Sequence, residues 1–238
     1  MTTDSFTDTD PSPAGEQLTI RPAPVRGTWR QYIAALRLLA VLTVVLGVLG
    51  VLYPLAVTGV AQLPGLKDRA DGSLARTPAG AVVGSRLLGQ GFLDADGHPP
   101  RQWFQSRPST AGKAGWDGTA SGASNLGPDN PDLVTTIGER RAAVAAFDSV
   151  PGRPVALAQV PADAVAASGS GLDPQISPAY ARQQAYRVAG ARGLDPARVL
   201  ALVQDYVRGR ALGFVGEETV NVLELNLALA ALAPAARG

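Results

Sequence analysis

The sequence predicts an α+β protein with one N-terminal transmembrane helix, followed by a single mixed domain with a small sheet and a helix-rich C-terminal third. Three observations lead to this prediction: an uncharged run of Leu and Val, short strand-like segments after it, and capped helical segments toward the C-terminus. The chain has 238 residues, 46% of them hydrophobic, and a formal net charge of +1. It can therefore bury a core, and it lacks the basic excess typical of nucleic-acid binding.

The run from residue 38 to residue 57 is the predicted transmembrane helix. None of its twenty residues is charged, and thirteen of them are Leu or Val. A run of this length crosses the hydrocarbon core at helical rise, and its aliphatic side chains favour insertion by roughly 4 to 8 kcal/mol. A cleavable signal peptide is the alternative, because Gly59-Val60-Ala61 resembles a cleavage site, but signal peptides have shorter apolar regions. An anchor over 31–62 is favoured, with Pro54 kinking the helix or marking its last turns.

Charges on the two sides of the run predict its orientation. Four arginines precede it, and the charges between residues 67 and 71 nearly cancel: the arginines are Arg21, Arg26, Arg30 and Arg37. The positive-inside rule then places the N-terminus in the cytoplasm and the chain after about Thr58 outside. Residues 1–30 are polar and aperiodic, which predicts a disordered cytoplasmic tail, and 63–238 are predicted to form one extracytoplasmic domain.

The first half of this domain is predicted to contain short strands and a long loop. Residues 73–76 and 81–88 have strand-like composition. The stretch 109–132 is rich in Gly, Ser, Asn and Pro and is too long for an ordinary connector, so we expect a functional or partner-facing loop. Residues 133–147 are predicted to be helical.

Helix caps can be recognised directly in the C-terminal third. Ser177 and Pro178 provide an N-cap oxygen and a proline at the first helical position, and Gly193 lies where the helix should end. Asp195 begins a second predicted helix in the same way, with Gly209 ending it.

The segment 221–232 remains open between two structures. Asn221 with Glu224 resembles a capping box and favours a helix. Alternating leucines in the same segment favour a strand instead.

Familiar catalytic and nucleotide motifs are missing from the sequence. The stretch 168–178, S-G-S-G-L-D-P-Q-I-S-P, has Pro174 where a dinucleotide fingerprint needs its third glycine, and a Walker A loop ending at Lys113 would need glycine where Arg107 stands. His98 is the single histidine and lies in a turn-rich segment, where a solvated loop residue is expected. With no cysteine, no metal site is predicted. We expect 168–178 to join two helices, with Asp173 closing an Asx turn.

A series of short motifs occurs in a fixed order along the chain. They are Y-P-L (53–55), G-S-R-L-L-G-Q (84–90), F-Q-S-R-P-S (104–109), S-N-L-G-P-D-N-P (124–131), A-S-G-S-G-L-D-P-Q-I-S-P (167–178), R-V-A-G-A-R-G-L (187–194) and G-E-E-T-V-N-V-L-E-L-N-L-A-L (216–229). Together they resemble the KdpC family, the C subunit of a bacterial potassium-transporting P-type ATPase, over residues 38 to 230.

The resemblance implies a non-catalytic, single-pass subunit of a cell-membrane complex. The implied partners are the channel-like potassium-binding subunit KdpA, the ATPase subunit KdpB and the small peptide KdpF. The family is described as a catalytic chaperone that raises the ATP affinity of the ATPase subunit, and Gln90 is the candidate that we attach to this role. ATP would be reached only through the ATPase subunit, and no cofactor of the chain's own is implied.

Candidate interface residues also follow from the resemblance. They are Tyr53, Pro54, Thr58, Gln62, Arg107, Asn125 and Asp173. The predicted topology places the domain outside, away from cytoplasmic ATP, so we expect an indirect influence on turnover. The alternatives are a membrane-anchored extracytoplasmic binding module unrelated to potassium transport and an exported hydrolase, for which the sequence offers no convincing nucleophile and base.

Overall fold

A long apolar helix forms most of the first part of the protein. The computed structural model describes residues 28–232, so the tail predicted over 1–30 lies almost entirely outside the described residues. The described chain forms two compact units, divided between Val60 and Ala61. The helix runs over Trp29–Ala61 with a mean hydropathy of 2.5, and it is the one helix in the described chain that is long and apolar enough to cross a membrane.

Pro54 changes the hydrogen bonding of this helix without ending it. The helix consists of α1 (Trp29–Gly47), a π-helical segment (Val48–Leu52) and α2 (Tyr53–Ala61). Proline has no N–H to donate to the carbonyl four residues earlier, and its ring crowds that carbonyl. The backbone widens accordingly, and the N–H of Tyr53 donates to the oxygen of Val48, five residues back. The helix then continues past Pro54 for about two turns.

A short helix and a hairpin begin the second unit. Helix α3 (Lys67–Ala70) is followed by β1 (Leu74–Arg76) and β2 (Val82–Ser85), which pair antiparallel with a bulge between Ala75 and Arg76. Both predicted strands are therefore confirmed, with the second shorter than expected. From residue 86 to residue 130 the chain has no regular element.

Helix α4 (Pro131–Asp148) confirms the helix predicted over 133–147 and begins at a cap that sequence reasoning missed. The side chain of Asn130 accepts hydrogen bonds from the backbone N–H groups of Asp132 and Leu133. Two single 3₁₀ turns follow, Leu157–Gln159 and Ala162–Ala164.

The C-terminal third contains a three-stranded antiparallel sheet and three helices. The strands lie in the order β3 (Gln175–Ile176), β5 (Thr219–Asn221) and β4 (Val207–Arg208), so that aliphatic residues 176, 220 and 207 form one row across the sheet. The helices are α5 (Pro178–Arg192), α6 (Pro196–Asp205) and α7 (Val222–Leu232). The fold class is therefore as predicted, with two small sheets.

Alanines allow α5 to approach its neighbours closely. Ala181, Ala185 and Ala189 recur every fourth residue, are fully buried and lie on one face, and α5 packs against α6. Leu225 and Leu229 of α7 are also fully buried. Burying a leucine of this kind stabilises the fold by about 1.5 to 3 kcal/mol.

The predicted caps of α5 and α6 are confirmed. Ser177 accepts from the N–H of Tyr180, Asp195 accepts from the N–H of Ala197, and Gly193 adopts the left-handed conformation after α5. The expected end of α6 at Gly209 is wrong. The helix ends at Asp205 because the next residues enter the sheet as β4.

Two further expectations for this region are decided by the structure. All of segment 221–232 except its first residue is helical, and Asn221, the last residue of β5, caps this helix by accepting from the N–H of Glu224. The expectation that 168–178 joins two helices is wrong, because it follows a single 3₁₀ turn and contains β3. Just before it, the carbonyls of Val165 and Ala166 accept hydrogen bonds from the side chains of Arg140 and Arg107.

Candidate functional site

Three of the candidate interface residues, Tyr53, Pro54 and Thr58, lie on the apolar helix of the first unit. Tyr53 and Thr58 are exposed there. Thr58 donates its hydroxyl to the carbonyl of Pro54 at 2.8 Å, so this polar group is satisfied within the helix, as a lipid environment requires. Gln62 begins the second unit, where its side-chain oxygen accepts from the ammonium of Lys67 at 3.2 Å.

Arg107 and Asp173 form one contact in the second unit. Arg107 Nη1 donates to Asp173 Oδ2 at 3.0 Å, and Nε and Nη2 of the same guanidinium donate to the carbonyl of Ala166. Asp173 Oδ1 accepts from the N–H of Gln175, which confirms the predicted Asx turn. The pair therefore fastens the F-Q-S-R-P-S segment to the connector 168–178.

Two Gly- and Ser-rich segments bind each other beside this ion pair. Ser109 donates its hydroxyl to the carbonyl of Gly171 at 2.6 Å, and the N–H of Gly122 donates to the carbonyl of Ser170 at 2.9 Å. Gly171 has a φ of +68°, and a Cβ there would lie 2.7 Å from the nitrogen of Ala111. The beginning of the long loop is thus a packed part of the domain.

Asn125 lies in the other part of the same loop. It adopts a left-handed φ of +53° and is exposed, as are its neighbours from Ser124 to Asp129. The side chain of Asn125 is therefore accessible to a partner.

Gln90 braces the β1–β2 hairpin. Its side-chain nitrogen donates to the carbonyl of Val83 at 2.9 Å, and its own carbonyl accepts from the hydroxyl of Ser106 at 2.8 Å. A Cβ on Gly84 would lie 1.8 Å from the Gln90 side-chain nitrogen, so a side chain at position 84 would displace the Gln90 amide from this hydrogen bond. Gln90 directly follows Gly89, whose N–H donates to the carbonyl of Leu172 in the connector 168–178.

A buried polar network holds the F-Q-S-R-P-S segment, and sequence reasoning missed it. Asn226 exchanges two hydrogen bonds of 2.9 Å with the backbone of Phe104, and Gln184 does the same with the backbone of Gln105 at 2.7 and 3.0 Å. The two amide side chains supply the backbone hydrogen bonds that a neighbouring strand would otherwise make. The sequence signal that could have revealed this network is the position of Asn226 and Gln184 on the buried faces of helices α7 and α5.

An ion pair lies at the centre of this network. Arg187 Nε and Asp148 Oδ1 are 2.8 Å apart, and both side chains are almost completely buried. Arg187 also donates to Gln184 Oε1 at 2.7 Å and to the carbonyls of Arg101 and Trp103. Burial lowers the pKa of the Arg187 guanidinium below its ordinary value, and the Asp148 carboxylate opposes this shift.

A second charged cluster is exposed. Glu224 forms ion pairs with Arg86, at 3.4 Å, and with Arg208, and Arg86 reaches Asp68 at 3.1 Å. The predicted capping box is therefore only half correct, because the carboxylate of Glu224 contacts these arginines. The cluster lies beside a pocket of about 400 Å³ that Asp173 also lines.

The most exposed apolar side chains of the second unit lie at the tip of a tight turn that sequence reasoning did not single out. Leu212 and Gly213 both have positive φ, and the N–H of Phe214 donates to the carbonyl of Ala211, as in a type I′ turn. Leu212 is 85% exposed and Phe214 is 73% exposed. Isolated exposed apolar residues are ordinary, but two large ones on one ordered turn indicate a contact surface.

The single histidine lies in an exposed turn. His98 is exposed, as predicted, and its backbone N–H donates to Asp94 Oδ1 at 2.8 Å. The sequence predicted no metal site, but the ligand atoms of Asp94, Asp96 and His98 lie within 4.8 Å of one another. The same Asp94 oxygen accepts from the N–H of Asp96, so the local turn accounts for this grouping.

Comparisons with known proteins identify the family of the chain. The family model described as "KdpC: K+-transporting ATPase, c chain" matches residues 32–231. A potassium-transporting ATPase KdpC subunit of Kineococcus radiotolerans is 57% identical over 186 residues, which cover 78% of this chain and 87% of that protein. The subunits of the same name from Streptomyces coelicolor and Mycobacterium tuberculosis are 47% identical over 216 residues and 46% identical over 200 residues. These matches cover 85% and 84% of this chain, and 93% and 97% of those two relatives.

Proposed function

This chain belongs to the KdpC family of potassium-transporting ATPase subunits, and we propose from this membership that it is the non-catalytic accessory subunit of a high-affinity, ATP-driven potassium uptake complex. Its partners are a channel-like potassium-binding subunit, KdpA, the ATP-hydrolysing subunit KdpB and the small peptide KdpF. It acts in assembly and transport through contacts with these chains and with the lipid bilayer.

The placement of polar and apolar side chains supports a contact role. Arg107, Asp173 and Gln90 bond to other groups of their own unit. Leu212 and Phe214, by contrast, expose apolar surface on an ordered turn. A chain that works by docking needs such a rigid domain with apolar surface available to a partner.

The proposed orientation places the N-terminus in the cytoplasm and the second unit outside. Arg30 and Arg37 lie in or before the first half of the long helix, and the charges of α3 and its neighbours nearly cancel beyond its end. A topology reporter fused after Gly238 tests this proposal. Extracytoplasmic activity of the reporter is expected, and a cytoplasmic signal would overturn the orientation.

The influence on ATP turnover is then indirect. The family resemblance implies a raised ATP affinity, and an extracytoplasmic domain can produce it only by stabilising the assembled ATPase subunit. We expect Gln90→Ala to leave the ATP KM of the purified complex within about twofold of the wild-type value, since the Gln90 amide donates to the carbonyl of Val83. A larger rise in KM without a change in thermal unfolding would instead support a direct nucleotide role for Gln90.

Co-purification tests the accessory role itself. The full chain, tagged and expressed with KdpA, KdpB and KdpF, is expected to retain both large subunits in detergent. Phe214→Ser should reduce their recovery, whereas Leu157→Ser, which changes another exposed apolar residue of the same unit, should not. Isolation of the wild-type chain without either large subunit would contradict the proposal.

A further inference from the structure

A largely apolar pocket of about 390 Å³ lies within the second unit, and neither the fold nor the proposed function accounts for it. Its apolar wall includes Leu93, Pro99, Pro108, Trp116, Val144 and Phe147. The volume falls in the usual range for small-molecule sites, about 300 to 1,000 Å³.

The wall of this pocket includes a buried tyrosine. Tyr180 lines it and is only 4% exposed. Among residues 28–232, no group forms a hydrogen bond with the Tyr180 hydroxyl, and the hydroxyl oxygen is not completely enclosed by the protein. Because Tyr180 is one of the residues that line the pocket, we place this hydroxyl at the pocket wall. A buried tyrosine usually finds a partner for this group, so a donor is held ready at this position.

A positive charge lines the same pocket. Arg140 donates from Nη1 to the carbonyl of Val165 at 3.1 Å, and the described residues offer its other nitrogens no hydrogen bond or ion pair. No carboxylate is among the residues that line the pocket. Two carboxylates outside the wall, Asp148 and Asp163, act electrostatically on Tyr180, but Asp148 is paired with Arg187 and Asp163 accepts two hydrogen bonds from Ser177. The wall itself supplies only the positive charge of Arg140, which would attract an anion.

The aromatic wall is held rigidly. Trp116 has a φ of +53°, its N–H donates to the hydroxyl of Ser109 at 2.7 Å, and a Cβ on Gly91 would lie 2.6 Å from its ring. A non-glycine residue in this backbone conformation is strained, and it persists because surrounding contacts determine it. Trp116 therefore presents a preformed flat surface to an occupant.

We propose that this pocket binds a small amphipathic carboxylate, whose apolar or aromatic body lies against Trp116 and Phe147 and whose carboxylate is bound by the Tyr180 hydroxyl and the Arg140 guanidinium. The walls supply burial of an apolar body, the two polar groups are both donors, and a carboxylate accepts from both. A neutral ligand of the same shape would lose the charge-assisted contact with Arg140.

A matched pair of probes tests this proposal on the full chain in lipid nanodiscs. 4-Fluorophenylacetate and 4-fluorophenylacetamide have the same body and differ in charge, and ¹⁹F NMR follows the binding of each. We expect saturable one-to-one binding of the acid, about tenfold tighter than that of the amide, after subtraction of empty nanodiscs.

Variants separate the two donors from the rest of the fold. Tyr180→Phe should weaken binding of the acid severalfold, and Arg140→Gln should abolish the preference for acid over amide. Tyr186→Phe and Arg141→Gln, which change the same residue types outside this pocket, should leave both affinities unchanged. If Arg140→Gln unfolds, Arg140→Lys keeps the charge and should retain the preference. Equal affinities of the wild-type chain for the acid and the amide would overturn the proposal. It would also be overturned if Tyr180→Phe left the affinity for the acid unchanged and Arg140→Gln left the preference for the acid unchanged.

Discussion

Replacing Arg187 by methionine removes one partner of the buried ion pair while keeping an apolar stem of similar length. The carboxylate of Asp148 then keeps a single side-chain donor, Gln183 Nε2 at 2.7 Å. The carbonyls of Arg101 and Trp103 lose the guanidinium nitrogen that donates to both. Each of these groups was desolvated on folding and needs a partner.

The expected loss of stability follows from the burial of this pair. Removing one partner of a buried ion pair destabilises a protein by about 3 to 5 kcal/mol, because the remaining charge is left without compensation. At about 2 to 4 °C per kcal/mol for a domain of this size, Arg187→Met should lower the unfolding midpoint by roughly 6 to 20 °C. The double change Arg187→Met with Asp148→Leu should recover at least about 1 kcal/mol, since no lone charge remains.

Unfolding by heat and by urea, followed by tryptophan fluorescence of the full chain in detergent, measures these effects. The matched control is Arg210→Met, which breaks the exposed ion pair with Glu217 at 2.9 Å and should cost no more than about 1 kcal/mol. If Arg187→Met costs as little as Arg210→Met, the buried pair does not compensate a desolvated charge and the reasoning is wrong.

Three further predictions concern other parts of the second unit. Gly171→Ala should lower the free energy of unfolding by about 1 to 3 kcal/mol in urea titrations, because of its left-handed φ and the 2.7 Å approach to Ala111, whereas Gly190→Ala, in open space on α5, should raise it by about 0.5 to 1 kcal/mol. Leu212→Asn creates the Asn-Gly pair that type I′ turns favour, so it should raise the melting temperature while reducing recovery of the partner subunits; a fall in stability would contradict the turn assignment. Burial raises the pKa of Tyr180, so stability should fall as the pH rises above the ordinary value of 10.0, where the unfolded chain releases this proton first, and Tyr180→Phe should reduce that pH dependence in urea unfolding.

The local signals in the sequence predicted much of the secondary structure. A helix cap needs only a polar side chain placed next to a helix start, so Ser177 and Asp195 were recognisable without knowledge of their neighbours. The long apolar helix near the N-terminus was equally clear, because a helix satisfies its own backbone hydrogen bonds within a continuous segment.

The candidate site was less predictable because its contacts join distant parts of the chain. Arg107 and Asp173 were singled out separately, and nothing in their spacing indicated that they form an ion pair. The turn at Leu212 has no glycine at the first position that requires a positive φ, so the usual turn signal was weaker there.

The competition between local and tertiary preference explains where the sequence-based boundaries were wrong. Residues 206–208 could continue α6, but Val207 and Arg208 gain hydrogen bonds by pairing with β5, and Val207 becomes half-buried, so the helix stops at Asp205. Glu224 suits a capping box, but the charges of Arg86 and Arg208 attract its carboxylate.

The sequence by itself determined the long apolar helix, most helix starts and the membership of the family, since each depends on residues that are near one another in the chain. Only the tertiary structure decided that Arg187 meets Asp148, that Asn226 and Gln184 hold the F-Q-S-R-P-S segment, and that Tyr180 and Arg140 line one pocket. The physical reason is that desolvation and pairing energies depend on distances in space, and the same arginine or tyrosine is stabilising, destabilising or available to a ligand according to what packs around it.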